Sequence, residues 1–274
     1  MPSNYWVPML GHAFRVLEAF QDADVELGLK GIAARAMISR TSAFRILYTL
    51  VKLGYVTKDL VTGKYRLGLK IAEAARKALS GRKLVPLARP YLQQLNRQFG
   101  ESVNLAVLQN GEIFYIEILE SRHAFRMADT VGSRVPLHST ALGKAIAASL
   151  PEEDLRATLA RNRFTRFTPR TITSRRHYLK TLIEVRARGH SFDKEENERG
   201  ASCVAVPILN SNQRAVAAIS VSGPTPRIRA KERQIVQALK KVSASISNSL
   251  NADFTSVVAD KVKSTIPPGG AEPA

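Results

Sequence analysis

Cysteine is almost absent from this sequence, because Cys203 is the single example among 274 residues. One cysteine cannot form an intramolecular disulfide framework or supply the cysteine-rich ligand sets of structural zinc sites. Long apolar runs are missing as well, and none approaches the roughly 18 residues of a membrane-spanning helix. The first ten residues lack the basic start and long apolar stretch of a secretory signal. These absences predict a cytoplasmic protein with no membrane partner.

Acidic residues are also scarce, since 23 Asp and Glu stand against 41 Lys and Arg. The resulting net charge of +18 indicates an anionic partner, and nucleic acid is the commonest one. With 45% hydrophobic residues, the chain is long enough to form two domains with separate cores. This composition excludes disorder of the whole chain.

Most of the positive charge lies outside the first 80 residues. Residues 1–80 carry 12 basic and 6 acidic side chains, a net of +6, and residues 81–274 carry 29 and 17, a net of +12. Residues 156–188 alone contain ten basic side chains and one acid, Glu184. This stretch is by default a solvated face, and the alternative is a surface that meets flanking DNA or an acidic partner.

The first part of the chain shows the element order of a winged helix-turn-helix. Apolar spacing predicts helices over 12–20 and 29–36, and Ser39 can cap a third helix that ends near Gly54. Two short β-prone segments, 55–59 and 64–68, then flank a hairpin tip with Gly63 as its turn residue. The predicted winged helix-turn-helix covers residues 7–68, and an amphipathic linker helix follows over 69–83.

The remainder predicts one α+β domain over residues 84–250. A helix over 84–99 precedes two alternating strands joined by Asn110-Gly111, a strong hairpin signal that starts an antiparallel sheet. The domain is completed by predicted helices over 139–149, 151–160 and 174–188, a second hairpin around Asn210–Gln213, and a helix over 230–250. Residues 251–274 are predicted to be a disordered tail.

The third helix has two distinct faces. Its apolar side chains cluster on one side, and Thr41, Arg45, Tyr48 and Lys52 lie opposite. Polar and basic groups near its N-terminal end suit phosphates and base edges in the major groove. For an isolated helix a solvated face is the simpler reading, but the preceding helix and the following hairpin favour DNA binding. The basic residues of the wing can touch the DNA backbone, although they are also ordinary solubilising charge.

Five separated segments resemble the IclR family of bacterial transcriptional regulators. They are the helix-turn-helix and wing over 27–68, RVPLHSTALGKA, TPRTIT, RGASCVAVPI and AAISVSGP. The resemblance implies a GAF-like effector domain after the linker helix, and homodimers, often paired as tetramers, that bind palindromic double-stranded operators. It implies a regulator of a catabolic operon, with DNA-binding residues Ser39, Arg40, Thr41, Ser42, Phe44, Arg45, Lys64 and Arg66. Met37 stands where relatives carry glycine, so the turn before the third helix is expected to differ slightly.

An effector site is expected in the second domain. Ser139 or Thr140 can cap the helix that follows, leaving the backbone N–H groups of Ala141 and Leu142 free for a carboxylate. Ser220 and Ser222 fall on one face of a strand. Taken alone, such a cap serves its helix, Cys203 is an inert buried thiol and Asp193 is a turn former. The family resemblance implies a small organic or aromatic acid held by Ala124, Met127, Ala141, Leu142, Asp193, Cys203, Ser220 and Ser222.

Two other classes of function compete with this reading. A charge-driven architectural DNA binder would not discriminate between sequences. An enzyme would need more than Cys203 and His138, which have no third orienting group at a diagnostic spacing. The segment LGKA at 142–145 does not match a phosphate-binding P-loop, and the five histidines include no pair with the HExxH spacing of a zinc site. We therefore expect no enzymatic activity, no metal and no cofactor.

Overall fold

The computed structural model describes residues 6–20, 26–80, 84–124, 126–127 and 129–263. The packing of the chain forms two compact units, Met1–Gly81 and Arg82–Ala274. Each unit has its own cluster of buried apolar side chains. The apolar content of the sequence is therefore distributed over two cores, as its length predicts.

The first unit confirms the predicted winged helix-turn-helix. Its elements are α1 (Pro8–Glu18), α2 (Leu29–Arg35), α3 (Arg40–Lys52), strands β1 (Val56–Lys58) and β2 (Tyr65–Leu67), and α4 (Leu69–Ser80). The first helix begins earlier than predicted, because Pro8 suits the first helical position, where its missing N–H costs no hydrogen bond. The linker helix α4 starts where predicted, and residues 81–83 lie outside the described part of the chain.

The wing is tied to the helices through β2. Leu27 and Tyr65 exchange backbone hydrogen bonds of 2.9 and 2.8 Å, which attach the segment before α2 to the small sheet. Tyr65 is buried in the same core as Val16 of α1 and Leu47 of α3. Gly54 ends α3 with φ +80°, the left-handed conformation that its position predicts. These contacts hold α3 and the wing in a fixed relation within the unit.

The second unit is α+β, as predicted, and its sheet is antiparallel throughout. It contains α5 (Leu84–Phe99), β3 (Ser102–Gln109), β4 (Glu112–Leu119), β5 (Arg134–Val135), α6 (Ala141–Ala148), α7 (Glu152–Arg161), α8 (Arg175–Arg188), β6 (Ser191–Lys194), β7 (Ala201–Leu209), β8 (Ala215–Pro224), α9 (Thr225–Ala230) and α10 (Glu232–Lys263). The six strands lie in the order β5-β4-β3-β8-β7-β6.

The two predicted hairpins form the centre of this sheet. Asn110 and Gly111 join β3 to β4 with φ values of +54° and +88°, as a tight hairpin turn requires. Strand β3 then pairs with β8, more than a hundred residues later, and brings Asn104 opposite Ser220. Two short edge strands, β5 and β6, were not predicted, because two to four residues carry little alternation.

Helices cover both faces of the sheet. On one face, α6, α7 and α8 enclose a core with Ala106, Tyr115 and Ala205 from the strands. On the other, α5 and α10 pack against the sheet, and Ser243 of α10 donates a 2.5 Å hydrogen bond to the carbonyl of Pro207. Central strands buried on both faces explain why β7 and β8 are almost continuously apolar.

The C-terminal prediction needs one correction. The last helix was predicted over 230–250, but a short α9 precedes it and α10 extends to Lys263. The predicted tail over 251–274 therefore starts inside α10, because Phe254, Val257, Val258 and Val262 keep the apolar spacing of a helix. Residues 264–274 lie outside the described residues.

Candidate functional site

The N-terminus of α3 is capped as its sequence predicts. The Ser39 hydroxyl accepts a 3.1 Å hydrogen bond from the N–H of Ser42 and donates one of 2.9 Å to the Ser42 hydroxyl. Ser39 and Ser42 therefore bind each other, which fixes the start of the helix. Of the predicted DNA contacts on α3 and its cap, these two hydroxyls are hydrogen-bonded to each other.

The exposed face of α3 carries the remaining polar side chains. Arg40, Thr41 and Arg45 are exposed, while Ala43 and Leu47 on the opposite side are fully buried. One face is thus fixed by the core and the other presents two guanidinium groups and a hydroxyl to solvent. This arrangement is what a recognition helix needs to reach base edges and phosphates.

Phe44 lies on the exposed side of α3, between Arg40 and Thr41 around the helix axis. Its side chain is 50% exposed and lines an apolar groove together with α1 and α4. Arg45, about 100° from Phe44 around the helix axis, lines the same groove. The DNA contact predicted for Phe44 stays a prediction, and its side chain also contributes to the groove.

The turn between α2 and α3 accommodates methionine. Met37 adopts φ +52°, the left-handed region that glycine favours, and its side chain is 77% exposed. The N–H of Met37 bonds to the carbonyl of Ala34, and that of Ile38 bonds to Ala33. The turn keeps a left-handed conformation although it lacks glycine.

The wing presents two basic side chains on the arm that follows its tip. Lys64 and Arg66 are exposed, and the Arg66 Nε donates a 3.2 Å hydrogen bond to the Thr57 hydroxyl. At the tip, Asp59 accepts hydrogen bonds from the N–H groups of Val61 and Thr62, which lower the pKa of its carboxyl. The tip is therefore a defined turn.

Exposed apolar side chains form a groove on the first unit. The groove has a volume of about 910 Å³ and is lined mainly by side chains of α1 and α3 with Ala74 of α4: Met9, Leu10, Ala13, Phe14, Leu17, Phe44, Tyr48 and Leu53. Phe14 is 62% exposed and Leu10 is 58% exposed. Contiguous exposed apolar surface of this kind is typical of an interface.

In the second unit, a small cavity lies at the N-terminus of α6. Its volume is about 40 Å³, room for roughly three water molecules. The structure brings six of the eight predicted effector residues to its wall: Met127, Ala141, Leu142, Asp193, Cys203 and Ser220. Segments far apart in the sequence meet there, because β7 lies between β6 and β8 in the sheet and brings Asp193, Cys203 and Ser220 together.

The first turn of α6 points unpaired backbone donors toward this cavity. The Thr140 hydroxyl accepts a 3.1 Å hydrogen bond from the N–H of Gly143 and donates one of 2.8 Å to the carbonyl of Pro136. The N–H groups of Ala141 and Leu142 lie before the first i→i−4 hydrogen bond of the helix, which runs from Lys144 to the Thr140 carbonyl, and have no hydrogen-bond partner among the described residues. A side chain at Gly143 would collide with the Leu137 carbonyl, 2.1 Å from the Cβ position. Glycine therefore lets the helix start close to the turn that follows β5.

Two predicted effector residues do not line the cavity. Ala124 is exposed to solvent, because the segment after β4 turns outward there. Ser222 is buried, and its oxygen accepts a 2.9 Å hydrogen bond from the amide of Asn104. The same amide donates a 3.1 Å bond to Ser220, so Asn104 holds both hydroxyls of the strand. Ser222 therefore shares its donor, Asn104, with Ser220 but does not line the cavity.

Asp193 lies on the edge strand β6, opposite Cys203, and not after a strand as the sequence suggested. Its Oδ1 accepts hydrogen bonds from the N–H groups of Glu196 and Asn197 at 2.7 and 3.4 Å. Burial raises the pKa of Asp193 to about 7, against the opposing attraction of Lys144. Burial also raises the pKa of the Cys203 thiol, which therefore stays protonated and is a poor nucleophile.

Sequence reasoning missed several polar residues of this wall: Tyr115, Asp129, Asn197 and Glu198. Burial, together with the nearby charge of Glu198, raises the pKa of Asp129. Behind the wall, Lys144 of α6 forms an ion pair with Glu196 and is 1% exposed. A lysine in the apolar run ALGKAIAA is the one signal that pointed to a buried charge here.

Neither a metal centre nor a membrane span is found in the part of the chain that the structure describes. No group of three or more His, Cys, Asp or Glu side chains among those residues is arranged to hold a metal ion. None of their helices combines the length and apolar content that crossing a bilayer needs.

Comparison with known proteins decides the family. The model of the IclR helix-turn-helix domain matches residues 10–60, and that of the bacterial transcriptional regulator IclR C-terminal region matches residues 76–248. The chain belongs to the IclR family. It is a transcriptional regulator with a DNA-binding helix-turn-helix and an effector-binding domain, and not an enzyme, as the sequence predicts.

IclR regulators of known name are similar over most of their length. The chain is 35% identical to the HTH-type transcriptional regulator XynR of Escherichia coli, over 79% of this chain and 86% of that protein. It is 30% identical to the transcriptional repressor IclR of the same species, over 88% and 91%. A Microbacterium hydrocarbonoxydans IclR homologue solved with 4-hydroxybenzoate is 26% identical, with a TM-score of 0.78 over 89% of this chain and 99% of that one.

Proposed function

We propose that this IclR regulator binds a palindromic operator as a homodimer and changes its DNA affinity when a small organic acid enters the cavity at α6. The observation that carries the DNA-binding part is the face of α3. Ser39 fixes the start of that helix, its apolar side is buried, and Arg40, Thr41 and Arg45 are exposed on its other side. An Arg in this position can grip a guanine with two hydrogen bonds.

Dimerisation rests on the apolar groove of the first unit. Phe14, Leu10 and Phe44 leave apolar surface in water that a second copy of the chain covers in a homodimer. A symmetric pair of recognition helices then reads two half-sites related by a two-fold axis, which is why the operator is palindromic. Two such dimers form the tetramer that we expect on the operator.

Effector binding rests on the α6 N-terminus. The free N–H groups of Ala141 and Leu142, with the positive end of the helix dipole, attract a carboxylate. The homologue solved with 4-hydroxybenzoate supports an organic acid as the class of ligand. We expect an organic acid to displace part of the wall of this small cavity, which provides a second conformation for the regulator to populate.

We propose further that the protein acts in the cytoplasm on a catabolic operon, where a metabolite acid signals substrate supply. A nuclease footprint on the intergenic DNA upstream of its own gene tests this function. We expect protection of a palindrome at moderate salt, and loss of protection in the variant T41A/R45A. A control variant, K180A, changes an exposed lysine of α8 and should give the wild-type footprint.

A footprint with no sequence preference would favour the alternative, an architectural DNA binder driven by the net charge of +18. Phe14→Glu separately tests the dimer, because it places a charge in the apolar groove. We expect this variant to lose palindrome protection and to bind DNA at micromolar concentrations or weaker. Retained tight binding by Phe14→Glu would show that the groove is not the dimer contact.

A further inference from the structure

The wall of the α6 cavity is strongly acidic. Asp129, Asp193 and Glu198 all contribute carboxyl groups, and the described residues that line the cavity include no lysine or arginine. Lys144 is close to Asp193 but is committed to its ion pair with Glu196. A ligand carboxylate is repelled by these side chains. It is accommodated at the free N–H groups of Ala141 and Leu142.

The acidic side chains have hydrogen-bonding capacity to spare. Tyr115, which is 5% exposed, donates its phenol hydrogen to Asp129, and this leaves further lone pairs on the Asp129 carboxyl. Glu198 is exposed, and none of the hydrogen bonds or ion pairs between described side chains uses its carboxylate. Both carboxyl groups can accept further hydrogen bonds, which the hydroxyl groups of a ligand supply.

The cavity also offers a smaller set of donors. The Asn197 side-chain oxygen accepts a 2.8 Å hydrogen bond from Ser139, so its NH₂ group is available to a ligand oxygen. The Ser220 oxygen accepts from Asn104, which leaves the Ser220 hydroxyl hydrogen to donate. Ser220 is 1% exposed and lines the cavity, so its hydroxyl can donate this hydrogen to an oxygen of a bound ligand. Apolar contact is limited mainly to Met127 and Leu142.

We infer that the effector is a polyhydroxylated carboxylic acid of the aldonate type, and not an unsubstituted aliphatic or aromatic acid. This inference rests on the proposed function, since it assumes that the α6 cavity is the effector site. The ligand carboxylate binds the N–H groups of Ala141 and Leu142, and its hydroxyls donate to Asp129, Asp193 and Glu198. An acid without hydroxyls displaces water from the carboxyl groups of Asp129 and Asp193 without replacing its hydrogen bonds, which disfavours binding.

Calorimetric titration of the full chain with matched probes tests the inference. The probes are a panel of five- and six-carbon aldonates that includes D-gluconate, hexanoate as a carboxylate without hydroxyls, sorbitol as a polyol without a carboxylate, and benzoate. We expect at least one aldonate to bind ten-fold or more tightly than hexanoate, sorbitol and benzoate. Tighter binding of hexanoate or benzoate, or no binding of any aldonate, would overturn the inference.

Two variants test whether Asp129 and Glu198 accept hydrogen bonds from the hydroxyl groups of the ligand. Asp129→Asn and Glu198→Gln keep the shape of each side chain but remove its charge. We expect each to weaken aldonate binding at least ten-fold and to leave hexanoate binding unchanged or stronger. Glu153→Gln, an exposed carboxylate of α7 outside the cavity, is the matched control and should bind aldonates like the wild type. Equal aldonate affinity in all three variants would place the hydroxyl contacts elsewhere and overturn the assignment.

The inference and the proposed function fail in different ways. If the wild type and Glu153→Gln give no palindromic footprint, the proposed function is wrong. If the footprint is present and benzoate or hexanoate releases the DNA while aldonates do not, the proposed function stands and the inference about hydroxyl groups is wrong.

Discussion

The Nζ of Lys144 lies 2.5 Å from Oε1 of Glu196, and both side chains are largely withdrawn from water. The pair joins α6 to the loop after β6, whose N–H at position 196 also bonds to Asp193. Residues 197 and 198 of this loop form part of the cavity wall. The ion pair therefore fixes one side of the effector cavity relative to the helix that supplies its backbone donors.

Lys144→Met should destabilise the protein strongly. The substitution keeps the length of the side chain but leaves the Glu196 carboxylate buried without its cation, and Oε2 of Glu196 already has no partner among the described residues. Removing one member of a buried pair costs about 3–5 kcal/mol. Urea denaturation followed by circular dichroism measures this loss of unfolding free energy.

A double variant separates the loss of the pair from the loss of packing. Lys144→Met combined with Glu196→Gln removes both charges, so it should recover at least half of the stability that the single variant loses. Lys180→Met on the exposed face of α8 is the matched control, with an expected change within about 0.5 kcal/mol. A Lys144→Met protein as stable as the wild type would show that the pair is not needed.

Asp193 should make stability fall as pH rises. Burial raises its folded-state pKa to about 7, so the folded protein holds this proton more tightly than the unfolded chain does. Ionisation of Asp193 therefore lowers the free energy of unfolding by an amount that is negligible well below pH 4, grows up to about pH 7 and is constant above. Asp193→Asn keeps an acceptor for the N–H of Glu196 but does not titrate.

The difference in unfolding free energy between the wild type and Asp193→Asn isolates this effect, because other titrating groups contribute to both. At about 1.4 kcal/mol per pKa unit, the wild type should lose about 2–3 kcal/mol relative to the variant between pH 5 and pH 8. Denaturant midpoints and slopes at four pH values measure it. Parallel pH profiles would show that the carboxyl of Asp193 keeps an ordinary pKa.

Arg45 and Lys64 should affect DNA binding in different ways. Arg45 lies on the exposed face of α3, and Arg45→Ala should cost about 1–3 kcal/mol on the operator while relaxing preference at one base pair. Lys64 lies on the wing, and Lys64→Ala should weaken operator and scrambled DNA alike and lower the salt slope by about one. Fluorescence anisotropy from 50 to 200 mM salt measures both. Equal weakening of both DNAs by Arg45→Ala would remove it from the reading surface.

Local signals predicted the DNA-binding unit well. The hydroxyl of Ser39, the glycine at position 54 and the alternating faces of α3 each act within a few residues of their own position. Periodicity separates the buried from the exposed positions of α3 but assigns no role to the exposed ones, so the DNA contact of Phe44 rests on the family resemblance and stays a prediction.

The effector cavity depends on contacts that no local pattern encodes. Asn104 meets Ser220 across 116 residues, and Lys144 meets Glu196 across 52. The pairing of β3 with β8 creates the first contact, and the four-residue strand β6 positions the loop that makes the second. The family resemblance named six of the twelve residues that line the cavity, but Tyr115, Asp129, Asn197 and Glu198 came from the structure alone.

Neutralising the basic stretch of the second unit should leave sequence recognition intact. Arg163, Arg166, Arg175 and Arg176 are exposed, and none of them forms an ion pair with a described residue. Changing all four to Gln removes four charges from surface that the recognition helix does not include, so the boundaries of the operator footprint and its preferred bases should not change. A lower salt slope with an unchanged footprint would indicate contact with flanking phosphates. Loss of base preference in this variant would place part of the reading surface on the second unit, because α3 is unchanged by these substitutions.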